Sequence, residues 1–184
     1  MVTPDRVKQA RNLWTNTGQK RPPFAIPPAD DQESVWDYPR PPAILSDGRE
    51  VVVSFRGLEL ARTTAALRVC ETASPPTFYL PAEDVAVVSL SRSDGHSFCE
   101  WKGQATYWSL AAAEHPLQSN IGWSYEQPFP EFGIIRDYFS FYPARVDCYV
   151  EGHAVTPQPG GFYGGWITPE IVGPFKGEPG TSGW

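Results

Sequence analysis

Paired cysteines are missing from this chain. Its three, Cys70, Cys99 and Cys148, stand far apart, and none belongs to a C-x-x-C pair. Structural zinc normally takes closely spaced ligands, so no metal is expected, and nothing in the sequence calls for a cofactor. The odd number also argues against a disulfide framework, and three buried thiols acting as small hydrophobes are the expected arrangement. Basic charge is short as well: 15 Lys and Arg stand against 21 Asp and Glu, for a net charge of -6. A duplex-binding domain needs a basic face. Only Lys20-Arg21 offers even a pair, so nucleic acid is not an expected partner. No apolar run approaches the ~20 residues that cross a bilayer, and the N-terminus has no apolar signal region. No membrane partner is expected, and the expected location is the cytoplasm.

Several catalytic signatures are absent too. There is no P-loop, no dinucleotide-binding glycine fingerprint, no His-Glu-x-x-His and no Gly-x-Ser-x-Gly. ATPase, dehydrogenase, zinc-protease and α/β-hydrolase chemistry lose their usual support. The glycines Gly160-Gly161 and Gly164-Gly165 lack a following helix that would make them a phosphate cradle. His96 and Cys99 are only two ligands and do not make a metal site.

What is present is proline, glycine and aromatic rings. With 20 Pro and 16 Gly among 184 residues, the pattern predicts short strands joined by turns. A hydrophobic content of 41% against 20% charged supplies a real core. Three regions are expected: an N-terminal extension over 1–34, a β-rich domain over 35–155 and a C-terminal tail over 156–184. Thr3 caps a first helix running to about Leu13, with Pro4 and Asp5 in its first turn. The Pro-rich stretch from Arg21 to Pro28 then reads as extended chain. Strands are expected over 50–55, 58–62, 65–71, 77–80, 85–90, 97–100, 104–110, 121–125 and 145–150. Gly57 and Glu151-Gly152 close hairpins, Ser93-Asp94-Gly95 is a turn, and 111–120 is a polar loop. The one helix of the domain is expected over 131–139, from the spacing of Phe132, Ile135 and Phe139. The tail has neither strand nor helix period, and its aromatics are expected to anchor it to the core.

Residues 99–108 hold Trp101, Lys102, Gly103, Tyr107 and Trp108. An ammonium among aromatic faces gains cation–π attraction, and a glycine after it leaves room for a close approach. Glu71 and Lys102 are the charged residues set in apolar, aromatic segments. Sharing a pocket, they would act as acid/base or hydrogen-bond acceptor and as anion or carbonyl partner. The alternative is an ion pair that pins two strands. Tyr79, Trp101, Tyr107, Trp108, Trp123 and Tyr125 are candidates to line that pocket, or else to fill an aromatic core. Arg62, Arg68 and Arg145 can bind phosphate or carboxylate; singly, each also reads as a surface salt bridge. Arg68 joins the ligand-binding candidates.

The order Val69-Cys70-Glu71-Thr72, Pro75 to Pro81, Cys99 to Gly103, Tyr107-Trp108, Trp123-Ser124-Tyr125, Phe141-Tyr142 and Val146 to Val150 resembles the domain-of-unknown-function family 427. The likeness covers about residues 35–155. Glu100 stands where the family usually has Pro. The Gly-Pro-Phe-Lys-Gly-Glu-Pro-Gly ending looks like a subfamily trait. The family also carries a nucleotidyltransferase-like label. The resemblance implies a mainly β, small β-tent-like domain of two antiparallel sheets with one short helix. Relatives of that architecture include methionine sulfoxide reductases and the drug-binding domain of cereblon. Many of them hold zinc on paired cysteines, which this chain lacks, so no metal carries over. Fold likeness leaves function open. Three readings stand: a module binding a small polar or anionic molecule, an enzyme of group-transfer type using Glu71 and Lys102, and an interaction module built on the aromatic tail. A second copy of the chain is a candidate partner.

Overall fold

The computed structural model describes residues 4–112, 115 and 117–184. Thr3, the expected helix cap, lies outside the described residues, as do three positions of the expected loop over 111–120. Helix α1 spans Pro4–Arg11. The strands follow as β1 (Glu33–Ser34), β2 (Ala43–Asp47), β3 (Val51–Phe55), β4 (Leu58–Thr63) and β5 (Ala66–Cys70). Next come β6 (Thr77–Tyr79), β7 (Leu90–Cys99), β8 (Gly103–Leu110), β9 (Gln118–Ser124) and β10 (Phe139–Phe141). The last are β11 (Asp147–Val150), β12 (His153–Ala154), β13 (Thr156–Pro157), β14 (Trp166–Ile167) and β15 (Ile171–Val172).

The protein is mainly β, with several antiparallel sheets and, among the described residues, no closed barrel. One four-stranded sheet runs β10-β9-β8-β7 and another runs β12-β11-β3-β4; β2-β5-β6 form a third. The tail adds the β13-β14 pair, and β15 pairs in parallel with β1, tying the two flanking segments together. Among the described residues no helix is long and apolar enough to cross a membrane.

Local chemistry explains most of these elements. In β3, Val51, Val53 and Phe55 turn inward while Val52 and Ser54 are partly exposed, the period of two of a half-buried strand. The β3–β4 reversal places Arg56 and Gly57 at φ of 50° and 85°, the double left-handed geometry that matches strand twist. Glu151-Gly152 repeats it at 48° and 74° between β11 and β12. Leu80 and Phe139 bridge the three-stranded sheet to β10. Between the sheets lies a core of Val53, Leu60, Phe78, Leu110, Ile121, Phe141 and Trp166, with their neighbours.

Several expectations fail here. Of the strand expected over 85–90, only Leu90 is in one, as the first residue of β7; Val85 makes a single bridge, to Ala61, and Val87–Ser89 forms a single 3-10 turn. No neighbouring strand pairs with residues 86–89, and Val88 is left 97% exposed. The strand instead starts at Leu90 and runs through Asp94-Gly95, which becomes a register shift inside β7 rather than a turn. The helix expected over 131–139 is a 3-10 segment over Pro130–Ile135, broken at Phe132 (φ -111°, ψ 16°). Phe132 and Ile135 still point inward. Arg136 (φ -56°, ψ 130°) then ends the segment, Asp137 follows at φ 61°, and Phe139 belongs to β10. At its far end, the polar loop gives way to β9 at Gln118.

Candidate functional site

Strand parity builds the site. On β5, Leu67 and Val69 face one cluster, in continuity with Glu71, whereas Cys70 faces another. The same alternation puts Thr77 and Tyr79 of β6, Ser97 and Cys99 of β7, Ala105 and Tyr107 of β8, and Trp123 of β9 around one cavity, with Tyr125 just beyond β9. Register brings them side by side: Tyr107 opposes Trp123, and Ser97 opposes Ala105. The cavity holds about 240 Å³ and lies between the β7–β10 sheet and the β5–β6 strands. At about 30 Å³ per water, that is room for roughly eight water molecules.

Glu71 and Lys102 both line this cavity, as do Tyr79, Tyr107, Trp123 and Tyr125. Three other sequence candidates do not. Arg68 follows the opposite parity on β5 and spans Asp47 and Glu33, with N···O distances of 3.2 Å to each. Trp101 is buried behind the β7–β8 turn with Arg11 over its ring at 5.1 Å. Trp108 turns its indole to the other face, against Phe139, and donates to Ser124 Oγ at 2.9 Å.

Nor do Glu71 and Lys102 form an ion pair. Glu71 Oε1 accepts from Arg40 Nε at 2.9 Å. Arg40 also donates to the carbonyls of Asn16, Thr72 and Trp184. Among the described residues no carboxylate lies within ion-pair distance of Lys102. The groups that act most strongly on its charge are Cys99, then Tyr79 and Glu71. Burial alone would pull the Lys102 ammonium down, but these neighbours outweigh it and hold the group well above the usual lysine range. Gly103 (φ 101°) leaves the turn open on one side, where the Gln127–Phe129 backbone passes and Phe129 N donates to Lys102 O at 3.1 Å.

The tyrosines are linked. Trp123 Nε1 donates to Tyr79 Oη at 3.3 Å, and Tyr107 Oη donates to Ser97 Oγ at 2.7 Å. Burial raises the phenols of Tyr79, Tyr125 and Tyr142, so they stay protonated as donors near neutral pH.

Residues 43–152 match the family model described as a domain of unknown function, DUF427. The chain belongs to the DUF427 family. No curated protein matches it. The family segment carries Glu71, Tyr79, Cys99, Lys102, Tyr107 and Trp123, whereas part of the cavity wall of this DUF427 protein comes from outside that segment.

That outer wall was not read from the sequence. Trp14 enters from the N-terminal segment and donates from Nε1 to Glu100 Oε1 at 2.7 Å. Arg11 holds the same turn through Glu100 O at 2.7 Å and pairs with Glu131. From the tail come Gln158, Phe162, Tyr163, Gly164 and Lys176. A side chain at Gly164 would put its Cβ 2.2 Å from the Trp123 ring, so the tail lies flat on the indole only as glycine. Lys176 Nζ sits 3.7 Å from the centre of the Trp14 ring and donates to Trp184 O at 3.2 Å. The distant spacing of these residues left no local motif. Cys99 did carry a signal, since it shares the inward parity of Ser97 on its own strand. Among the described residues no three His, Cys, Asp or Glu side chains gather as a metal site would need.

Burial and the Arg40 guanidinium pull Lys176 down to about 8, against the opposing charges of Glu71 and Glu100. In the unfolded chain the amine returns to its model value of 10.5. Between these values the unfolded chain binds more protons, so this residue's contribution to stability rises with pH. Below about 8 the full penalty of burying the charge is present, and above 10.5 it is gone. Urea unfolding of the wild type and Lys176→Met should therefore show a stability difference that shifts in favour of the wild type from pH 8 to 10.5. A difference independent of pH across that window would contradict the assignment.

Proposed function

We propose that this DUF427 protein binds a small polar molecule carrying negative charge in the aromatic-lined cavity. The observation that carries the reading is Lys102: an ammonium kept protonated at the cavity wall, without a carboxylate of its own at ion-pair distance. Buried charge normally finds a partner, and an anionic ligand supplies one. The tyrosine hydroxyls add directional donors, and the flat rings add apolar contact. A volume of about 240 Å³ falls below the ~300–1,000 Å³ typical of sites for drug-sized ligands. That speaks for a compact metabolite and against enclosing a whole nucleoside triphosphate, so the group-transfer reading gains little from the family's label. The interaction-module reading weakens too. Trp166 is spent in the core, and Trp184 stacks on Phe24; of the tail's aromatics only Phe162 is largely exposed.

Thermal shift against a panel of small carboxylates and phosphates tests the reading. A ligand at about 100 times its Kd should stabilise the protein by about 2.7 kcal/mol. Lys102→Met should abolish that shift while the β-sheet circular dichroism of the apo protein persists. A Lys102→Met protein that is less stable yet binds the same ligand equally well would show the lysine to be structural only.

A further inference from the structure

We propose that Cys99 is a nucleophile of this cavity and that its partner is a small 2-oxo acid or aldehyde acid, which adds reversibly to the sulfur. The proposal rests on the anion-binding reading for the carboxylate and goes beyond it for the sulfur.

The three thiols differ sharply in setting. Cys70 is 1% exposed and Cys148 3%. Burial pushes the first up to about 11 and the second well above the usual thiol range. Both sit in apolar clusters and neither lines the cavity that holds Lys102. Cys99 is partly exposed, ends β7 and lines the cavity. Reactive cysteines occupy partly exposed, electropositive surroundings, whereas buried structural ones are inert.

Three polar side chains share the cavity with this sulfur: Lys102, Tyr79 and Tyr125. Lys102 stands three residues on, across the tight turn, and faces the same cavity, where its charge couples to Cys99. Tyr79 and Tyr125 both lie close enough to respond to charge on Cys99. An ammonium beside the attacking sulfur stabilises negative charge as it develops there. Donors lining the same cavity can also serve an oxyanion formed next to it.

The placement selects the electrophile. In addition to a carbonyl, the oxygen that becomes negative is one bond from the attacked carbon, within the same group of donors. In conjugate addition the charge would develop three bonds away. In a 2-oxo acid or glyoxylate the carboxylate adjoins the carbonyl, so one ammonium faces both. The step balances without an oxidant or leaving group. The S–C bond forms, the C=O π pair moves onto oxygen, and the thiol proton ends on that oxygen, relayed by Lys102 or a phenol. The product is a hemithioacetal or hemithioketal, and reversal releases the carbonyl compound intact.

Glyoxylate, isotope-labelled at its aldehyde carbon, is the probe. In the wild-type protein, carbon NMR should show a protein-bound hemithioacetal carbon, shifted from the tetrahedral carbon of glyoxylate hydrate. Saturating glyoxylate should slow iodoacetamide alkylation of Cys99, read by peptide mass spectrometry, by about tenfold or more. Cys99→Ser should still bind glyoxylate, by thermal shift, and show no adduct. Without glyoxylate, alkylation of Cys99 should fall about tenfold in Lys102→Met, the loss of one nearby charge, and recover in Lys102→Arg. Glyoxylate that binds wild type with neither adduct nor protection overturns the nucleophile and leaves the anion site standing. Glyoxylate that binds neither wild type nor Cys99→Ser, with every other small carboxylate also inert, overturns both. Should Lys102→Met not fold, the comparison of wild type with Cys99→Ser decides alone.

Discussion

Trp166→Ala should cost about 3–5 kcal/mol, the usual range for truncating a fully buried aromatic. Trp166 is 0% exposed although it belongs to the tail. Its ring stacks on Phe78 at 4.9 Å and 22°, and its Nε1 donates to Phe141 O at 3.0 Å. Its backbone N donates to Pro76 O at 2.9 Å. The indole thus joins β6, β10 and the tail at one point, and truncation leaves both a cavity and an orphaned carbonyl. For a protein of this size the melting temperature should fall by on the order of 10 °C. Chemical denaturation would measure the loss; a change below about 1 kcal/mol, as for an ordinary surface substitution, would mean that the tail is not part of the cooperative unit.

Arg40→Met should destabilise by a similar amount, about 3–5 kcal/mol, because removing one member of a buried pair leaves the other charge uncompensated. The Arg40 side chain is only 2% exposed. It holds Glu71, three carbonyls from distant parts of the chain, and the face of Trp14 at 4.3 Å. Methionine fills similar space but satisfies none of those acceptors. The loss should also loosen the N-terminal segment, so tryptic cleavage after Lys20 should accelerate well beyond the change in global unfolding. Equal sensitivity of that site in wild type and variant would show that the segment is held by something other than Arg40.

Residues whose structure depends on near neighbours were legible in the sequence. The hairpins at Gly57 and Gly152, the strand β5 and the turn at Lys102 follow from turn residues and period-two patterns. Glu71 and Lys102 stood out as charges inside aromatic segments, and the structure places both on the same cavity. What the sequence hid depends on pairing across the chain. Arg68 and Trp108 were misassigned to the cavity because their strand parity was not followed from Val69 and Tyr107. The stretch 85–90 has strand composition, but no partner strand pairs with residues 86–89. The partner of Glu71 is Arg40, 31 residues earlier, and Trp14 and Lys176 meet across most of the chain. No local spacing encodes such encounters; they arise when the two flanking segments close over the sheets.

The division of the cavity wall between family segment and flanks has an evolutionary consequence. The floor, with Cys99, Lys102 and the tyrosines, lies inside the segment that defines the family, while the ceiling, with Trp14, Tyr163 and Lys176, lies outside it. Floor and ceiling can thus change independently. Relatives that keep the floor but carry other flanking sequences would hold the same reactive groups under a differently shaped roof, and so select different guests with one chemistry.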